Sequence, residues 1–69
     1  MYLNLKTEME RIGVTREQIA ILLDIHRNSV ANKLDGRSSF TIEEALRLRE
    51  KYFPYADFQY LFKKVKAAG

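Results

Sequence analysis

The stretch TREQIAILLDIHRNSVANKLDG, residues 15–36, decides the fold, because its apolar residues recur at helical spacing on both sides of a short break. Thr15 and Gln18 have the pattern of a capping box, in which each side chain bonds the backbone amide of the other. This pattern predicts the start of a helix at Thr15. The apolar face of that helix consists of Ile19, Leu22 and Leu23.

A second helix is predicted from Arg27 to Asp35, since Val30 and Leu34 lie four residues apart and Gly36 suits the residue after a helix end. Only a few residues separate it from the first helix. Asp24 lies in this break, and aspartate tolerates the left-handed backbone conformation that a tight turn requires. The stretch therefore predicts two helices joined by a tight turn.

The residues before this stretch predict a further short helix. Asn4 can cap its N-terminus, and Gly13 suits the left-handed residue just past its end. Because the helix is short, its stability depends on docking against the others. Its apolar residues, Leu5, Met9 and Ile12, recur at intervals of four and three.

Two more helices are predicted in the rest of the chain. Thr41 and Glu44 form a second capping box, and the helix that it opens must end before Pro54. A last helix begins near Ala56 or Asp57. No segment alternates apolar and polar residues convincingly, so the expected fold is all-α, a compact bundle of five helices. The apolar stripe of the last helix consists of Phe58, Leu61, Phe62 and Val65.

Length and composition restrict the class of protein. A chain of 69 residues is enough for one domain, and it removes only about 60% of its unfolded surface from water. The lack of cysteine excludes a disulfide framework and a thiolate metal site. The longest aliphatic run, residues 19–23, is far below the roughly 20 residues of a membrane helix. The first residues do not resemble a secretory signal, so we expect a cytoplasmic protein.

The total charge favours a polyanionic partner only weakly. The net charge is +3 and the pI is about 9.4, values that many soluble domains share. The distribution is more informative, because between residues 26 and 39 three basic residues accompany Asp35 alone. A basic tail also begins at about residue 63. The basic residues are Arg27, Lys33 and Arg37 in the first segment, and Lys63, Lys64 and Lys66 in the tail.

Four segments resemble one known family, and the resemblance as a whole extends over nearly the entire chain. TREQIAILLDI is similar to the first helix of its motif, with the small residue Ala20, and HRNSVANKLDG is similar to its recognition helix. GRSSFTIEEALRL resembles the loop and the helix that follow in prophage-encoded members, and YFPYADFQYLF resembles the closing segment of some of them. The family is the lambda-type phage repressor and Cro proteins, also called the Xre family. The resemblance implies one helix-turn-helix DNA-binding domain over residues 1–69.

The resemblance also implies which side chains contact double-stranded DNA. One face of the second helix would read bases in the major groove. Its end, the following loop and the start of the first helix would contact the sugar-phosphate backbone, and Arg16 at that start could also reach the edge of a base. The implied base contacts are Arg27, Asn28, Ser29 and Asn32, and the implied backbone contacts are Arg16, Lys33, Arg37, Ser38 and Ser39.

The chemistry of these side chains supports the same assignment. Arginine matches guanine O6 and N7, and asparagine pairs with adenine N6 and N7. Arg27, Asn28 and Asn32 lie roughly on one helix face, opposite Val30 and Leu34 and free of acidic residues. The alternative is that this face is merely solvated, as most polar helix faces are.

Two positions in the turn depart from the family pattern. Asp24 stands where glycine is most common, and His26 stands where serine or threonine usually caps the recognition helix. His26 is the only histidine, so we expect it to cap or to be exposed rather than to bind a metal. No nucleophile accompanies these two residues, and there is no phosphate-binding loop. Neither an enzyme nor a cofactor is therefore expected.

Two functions of different kinds remain. The first is a sequence-specific transcriptional regulator of phage or prophage origin that binds DNA as a homodimer, on half-sites about 34–36 Å apart. The second is a protein-interaction module that has lost DNA binding. It would use an aromatic segment, residues 52–62, whose rings are hard to bury in one small bundle. Some of these rings are expected at a dimer contact. They are Tyr52, Phe53, Tyr55, Phe58, Tyr60 and Phe62.

Overall fold

Residues 1–65 are described by the computed structural model, and the regular elements among them are all α-helices. No strand occurs within this range, so the predicted all-α fold of five helices is confirmed. Helix α2 packs against α3 and α4, while α1 packs against α3 and α5. The helices are α1 (Leu3–Ile12), α2 (Arg16–Leu23), α3 (Arg27–Leu34), α4 (Ile42–Tyr52) and α5 (Phe58–Leu61).

Two capping boxes set the starts of α2 and α4, as the sequence predicts. Thr15 Oγ1 accepts from the Gln18 amide at 3.2 Å, and the Thr15 amide donates to Gln18 Oε1 at 2.8 Å. Thr41 and Glu44 make the same reciprocal pair, at 3.1 and 2.9 Å. Each box satisfies two backbone amides that would otherwise lack a partner at the helix start.

The prediction that Asn4 caps α1 is wrong. The helix starts at Leu3, with Tyr2 in the capping position and no side-chain cap. Asn4 lies inside the helix and donates to the Tyr60 carbonyl at 2.9 Å. The cause is the anchoring of Tyr2, which is 4% exposed and whose amide donates to the Leu34 carbonyl at 3.0 Å. Tertiary contacts therefore override the local capping signal.

Three turns contain left-handed residues. Gly13 has a φ of 78° and Asp24 a φ of 56°, as their sequence context predicts. Asp24 is the one non-glycine residue with positive φ in the described chain. Gly36 has a φ of 86°, and a Cβ atom there would collide with the backbone nitrogen of Met1. Only glycine fits this close approach between the end of α3 and the first residue.

Helix α5 is shorter than the sequence predicts. It has four residues, Phe58–Leu61, and Val65 lies beyond it. Val65 and Met1 exchange two backbone hydrogen bonds, at 2.9 and 3.0 Å. Because this pairing requires a non-helical path, the apolar stripe does not continue as a helix. The described part of the basic tail includes Lys63, which is exposed, whereas Lys66 lies outside the described residues.

A single hydrophobic core joins all five helices. Burial of a large apolar side chain stabilises a fold by about 1.5–3 kcal/mol, and each helix contributes at least one buried residue. The largest side chains with essentially no exposure are Phe53, Leu5, Ile19, Leu48, Leu61 and Val30.

Within the described range, no helix combines the length and apolar character that crossing a membrane requires.

Candidate nucleic-acid interface

The N-terminal ends of α2 and α3 line one open groove, with a volume of about 510 Å³. Arg16 is the first residue of α2 and Arg27 is the first residue of α3. The two helices therefore present their first turns to the same space. We call this space the α2–α3 groove, and its lining consists of Thr15, Arg16, Glu17, Arg27, Asn28 and Ala31.

The three-residue turn between α2 and α3 is closed by hydrogen bonds at both ends. The Ile25 amide donates to the Ala20 carbonyl at 3.1 Å, which ties the turn to α2. His26 Nδ1 accepts from the Asn28 amide at 3.1 Å. The imidazole thus performs the capping role that a hydroxyl usually performs, one of the two roles that the sequence allowed.

Helix α3 has one buried and one exposed face. Val30 is 0% and Leu34 is 2% exposed, and both belong to the core. The opposite face carries the residues predicted to read bases. Arg27, Asn28 and Asn32 are exposed, while Ser29 is half-buried.

Lys33 differs from the other residues predicted to hold the DNA backbone, because its charge is already paired. Its Nζ lies 3.2 Å from Glu44 Oε1 and donates to the Ser39 carbonyl at 2.9 Å. It also lies 5.9 Å from the centre of the Phe40 ring. With 15% of its side chain exposed, Lys33 links the loop after α3 to the start of α4.

The loop after α3 places its remaining polar residues at the surface. Arg37, Ser38 and Ser39 are exposed. The amides of Arg37 and Ser38 both donate to the Asn32 carbonyl, at 2.9 and 3.4 Å, which folds the loop back onto the end of α3. Lys64 Nζ donates to Ser39 Oγ. A basic residue of the C-terminal segment is thereby brought next to this loop.

Glu17 is a groove residue that the sequence reasoning missed. Its Oε1 lies 3.5 Å from Arg27 Nη1, and the two side chains are 70% and 66% exposed. The exposed face of α3 has no acid of its own, but α2 adds one to the groove. A carboxylate in a first helical turn is usually explained by the helix dipole. Since its partner is ten residues away on another helix, no local pattern indicated the pair.

A second Glu–Arg pair lies away from the groove. Glu8 is 8% exposed, and its Oε1 accepts from Arg11 Nε and Nη2 at 3.0 and 2.7 Å. The hydroxyls of Tyr55 and Tyr60 donate to its two oxygens at 3.0 and 3.3 Å. The Arg11 guanidinium also lies 5.3 Å from the centre of the Tyr55 ring. We call these four residues the Glu8 cluster.

The electrostatics of the Glu8 cluster favour an ionised carboxylate. Hydrogen bonds from Arg11 lower the pKa of Glu8, against the desolvation that raises it. Desolvation, followed by the charge of Glu8, raises the pKa of Tyr60. Because Glu8 and Arg11 lie on α1 while Tyr55 and Tyr60 follow α4 in the chain, the cluster links α1 to the C-terminal segment. A local signal was present, because Glu8 falls between Leu5 and Met9 on the buried side of α1.

The aromatic segment, residues 52–62, is largely occupied by contacts within the chain. Phe53 is fully buried, and three other rings pack against the core. The two exposed rings donate hydrogen bonds to Glu8. The segment is therefore not an open apolar surface. The three half-buried rings are Tyr52, Phe58 and Phe62, and the exposed rings are Tyr55, at 55%, and Tyr60, at 43%.

Residues 1–65 contain no cluster of three or more histidine, cysteine, aspartate or glutamate side chains that could hold a metal ion. Comparisons with protein-family models, with curated proteins and with solved structures find no match.

Proposed function

We propose that this chain is a sequence-specific regulator of transcription, of phage or prophage origin, that binds double-stranded DNA with α3 in the major groove. The observation that carries the proposal is the α2–α3 groove, in which Arg16 and Arg27 occupy the first positions of two adjacent helices. Helix N-termini carry a partial positive charge. Two of them, each with an arginine, make this side of the molecule suited to a polyanion.

The base contacts in this proposal come from the exposed face of α3. Arg27 and Asn28 line the α2–α3 groove, and Asn32 is exposed one turn further along the helix. Arginine and asparagine are the side chains that best distinguish guanine and adenine in the major groove. Ser29 is half-buried, so we assign it a contact at the edge of this face.

The backbone contacts in this proposal flank that face. Arg16 lies at the start of α2, and Arg37, Ser38 and Ser39 lie in the exposed loop after α3. Charged and hydroxyl side chains at such flanking positions fix the register of a protein on DNA. Because Lys33 is paired with Glu44, we assign it to holding this loop in place rather than to a direct phosphate contact.

The proposal includes a homodimer that acts in the cytoplasm, associated with the nucleoid when bound. One short recognition helix contacts few base pairs, and a two-fold dimer doubles the sequence that is read. Tyr55 and Tyr60 are the exposed part of the aromatic segment, and we place the dimer contact there. Neither catalysis nor a cofactor forms part of the proposal.

Selection of bound sequences from random duplex DNA tests the proposal. We expect one preferred sequence, with an affinity that falls steeply as salt rises. Arg27→Ala and Asn28→Ala should each reduce the preference at one base pair by about 1–3 kcal/mol. Lys51→Ala, which removes an exposed charge at the far end of α4, is the control and should leave every preference unchanged.

Two results would contradict the proposal. One is a lack of binding at low salt, and the other is a preference that does not change in Arg27→Ala and Asn28→Ala. Sedimentation with and without duplex DNA provides an independent check. A chain that ignores DNA would favour the protein-interaction module, although its aromatic segment is mostly packed against its own core.

A further inference from the structure

Glu17 is the one acidic residue among those described as lining the α2–α3 groove. A surface that only had to attract phosphates would gain nothing from a carboxylate at this point. The carboxylate is 70% exposed and contacts Arg27 through a single atom pair, Oε1 to Nη1, at 3.5 Å. The helix dipole accounts for a carboxylate in the first turn of α2, but it does not account for the contact of that carboxylate with Arg27 on α3.

We infer that Glu17 is a specificity-determining residue of this groove, which positions Arg27 for a base and disfavours contact with phosphate. The inference rests on the proposed function, because it concerns how the same groove discriminates between DNA sequences. Glu17 is thus a positioning residue that acts through Arg27.

The geometry of the pair leaves most of the arginine available. Arg27 uses Nη1 for Glu17, and within residues 1–65 its guanidinium makes no other hydrogen bond. Nη2 and Nε therefore remain free to donate to guanine O6 and N7. Holding one nitrogen from a neighbouring helix also restricts a flexible side chain before it binds, which reduces the entropy lost on contact.

The charge of Glu17 acts in the same direction. A carboxylate at this point of the groove repels phosphate. Arbitrary DNA that presents phosphates to the groove is thus disfavoured, whereas a base that accepts from Arg27 is not. Discrimination rises at a cost in overall affinity.

Glu17→Gln separates this role from simple electrostatics. The probes are the duplex recovered by selection, its single-base-pair variants, and an unrelated duplex of the same length. We expect Glu17→Gln to bind the unrelated duplex more tightly, because a negative charge is lost. We also expect it to lose about two- to fivefold of discrimination at the base pair that Arg27 reads, the range typical of an exposed ion pair. Glu50→Gln, an exposed carboxylate of α4, should change no discrimination.

The double variant Arg27→Ala/Glu17→Gln decides whether Glu17 acts through Arg27. We expect its discrimination at that base pair to equal that of Arg27→Ala alone. The inference is wrong, while the proposed function stands, in either of two cases. In the first, Glu17→Gln leaves discrimination unchanged. In the second, the double variant discriminates less than Arg27→Ala by the full effect that Glu17→Gln has in the wild type. If Arg27→Ala itself changes no preference, reading by Arg27 is rejected and the inference falls with it.

Discussion

The two Glu–Arg pairs of this chain use the same side chains in opposite ways. In the Glu8 cluster, the side chain of Glu8 is 10% exposed and its carboxylate lies 2.7 Å from Arg11, with two tyrosine hydroxyls donating to its oxygens. In the α2–α3 groove, Glu17 is 70% exposed and lies 3.5 Å from Arg27, through one contact. The two arginines are similarly exposed, at 59% and 66%, so the contrast lies in the carboxylates: Glu8 is enclosed by several donors, whereas Glu17 is open to solvent.

This difference indicates which region holds the fold together and which is free to bind. An exposed ion pair contributes about 0–1 kcal/mol to stability, so the fold does not depend on the Glu17–Arg27 pair, and the nitrogens of Arg27 that Glu17 does not use stay available to a ligand. A carboxylate with several donors would leave those donors unpaired if it moved. Regions that bind partners are commonly drawn from the less tightly held parts of a protein.

Phe53→Ala is expected to have the largest effect, because it removes the core support behind the Glu8 cluster. The ring is 0% exposed, and its centre lies 6.5 Å from that of Tyr55. Truncating a buried phenylalanine costs about 3–5 kcal/mol, a large share of the stability of a small domain. Urea denaturation measures this loss. A loss below about 1 kcal/mol, the value of one surface contact, would contradict the assigned core.

Glu8→Gln and Glu17→Gln form a matched pair that tests the comparison directly. Glu8→Gln should clearly lower the melting temperature. The variant loses the negative charge that pairs with Arg11, and the amide nitrogen of glutamine cannot accept a hydrogen bond as the second carboxylate oxygen does. Glu17→Gln should change the free energy of unfolding by no more than about 0.5 kcal/mol, as for most surface substitutions. Equal effects of the two variants in thermal denaturation would refute the contrast.

The pH dependence of stability should also show the contributions of two carboxylates, Glu8 and Glu44. Hydrogen bonds from Arg11 lower the pKa of Glu8. Burial raises the pKa of Glu44, but bonds from Thr41 and Lys33 outweigh it and lower the pKa overall. These groups stabilise the fold above the ordinary carboxyl pKa of about 4.3, and the contribution is lost as pH falls through their folded values.

Melting temperatures measured from neutral pH to about pH 3 test this assignment. The wild type should lose stability on acidification, and Glu8→Gln should lose less. The remaining acid sensitivity of Glu8→Gln is expected from Glu44. A Glu8→Gln curve parallel to that of the wild type would show that Glu8 does not contribute.

The two capping boxes offer a smaller and more selective comparison. Thr15→Ala and Thr41→Ala should each cost about 1 kcal/mol of stability, the usual value of an N-cap. Thr15 lines the α2–α3 groove, whereas Thr41 does not. We therefore expect Thr15→Ala alone to weaken DNA binding, in assays at a temperature where both variants are folded. Equal weakening by both would indicate an indirect effect of stability.

The features that the sequence predicted correctly are those set by interactions between residues close together in the chain. The boxes at Thr15 and Thr41 and the left-handed turns at Gly13 and Asp24 are formed by residues close in sequence. Asn4 failed as a cap because Tyr2, buried by contacts far along the chain, extended α1 past it. Local patterns do not contain such tertiary constraints.

In the candidate site, too, the local features could be predicted from the sequence, whereas the contacts between helices could not. The exposed face of α3 follows from helical periodicity, so its polar residues could be identified from sequence. The pairing of Lys33 with Glu44, and that of Glu17 with Arg27, join residues on different helices. Only the packing of α2 against α3 and the path of the loop before α4 bring these charges together. The sequence therefore indicated the face but not which of its charges are already paired.

Asp24 provides the smallest and finest test, because it sets the turn that aligns α3 beside α2. Its φ of 56° is unfavourable for a residue with a Cβ atom, and its charge lies at the C-terminal end of α2, where the helix dipole disfavours an anion. Asp24→Gly removes both penalties and should stabilise the fold by up to about 1 kcal/mol. Asp24→Asn removes only the charge and should give a smaller gain, since asparagine also tolerates this conformation. Chemical denaturation of both variants separates the two penalties, and a loss of stability in Asp24→Gly would mean that the aspartate side chain itself supports the turn.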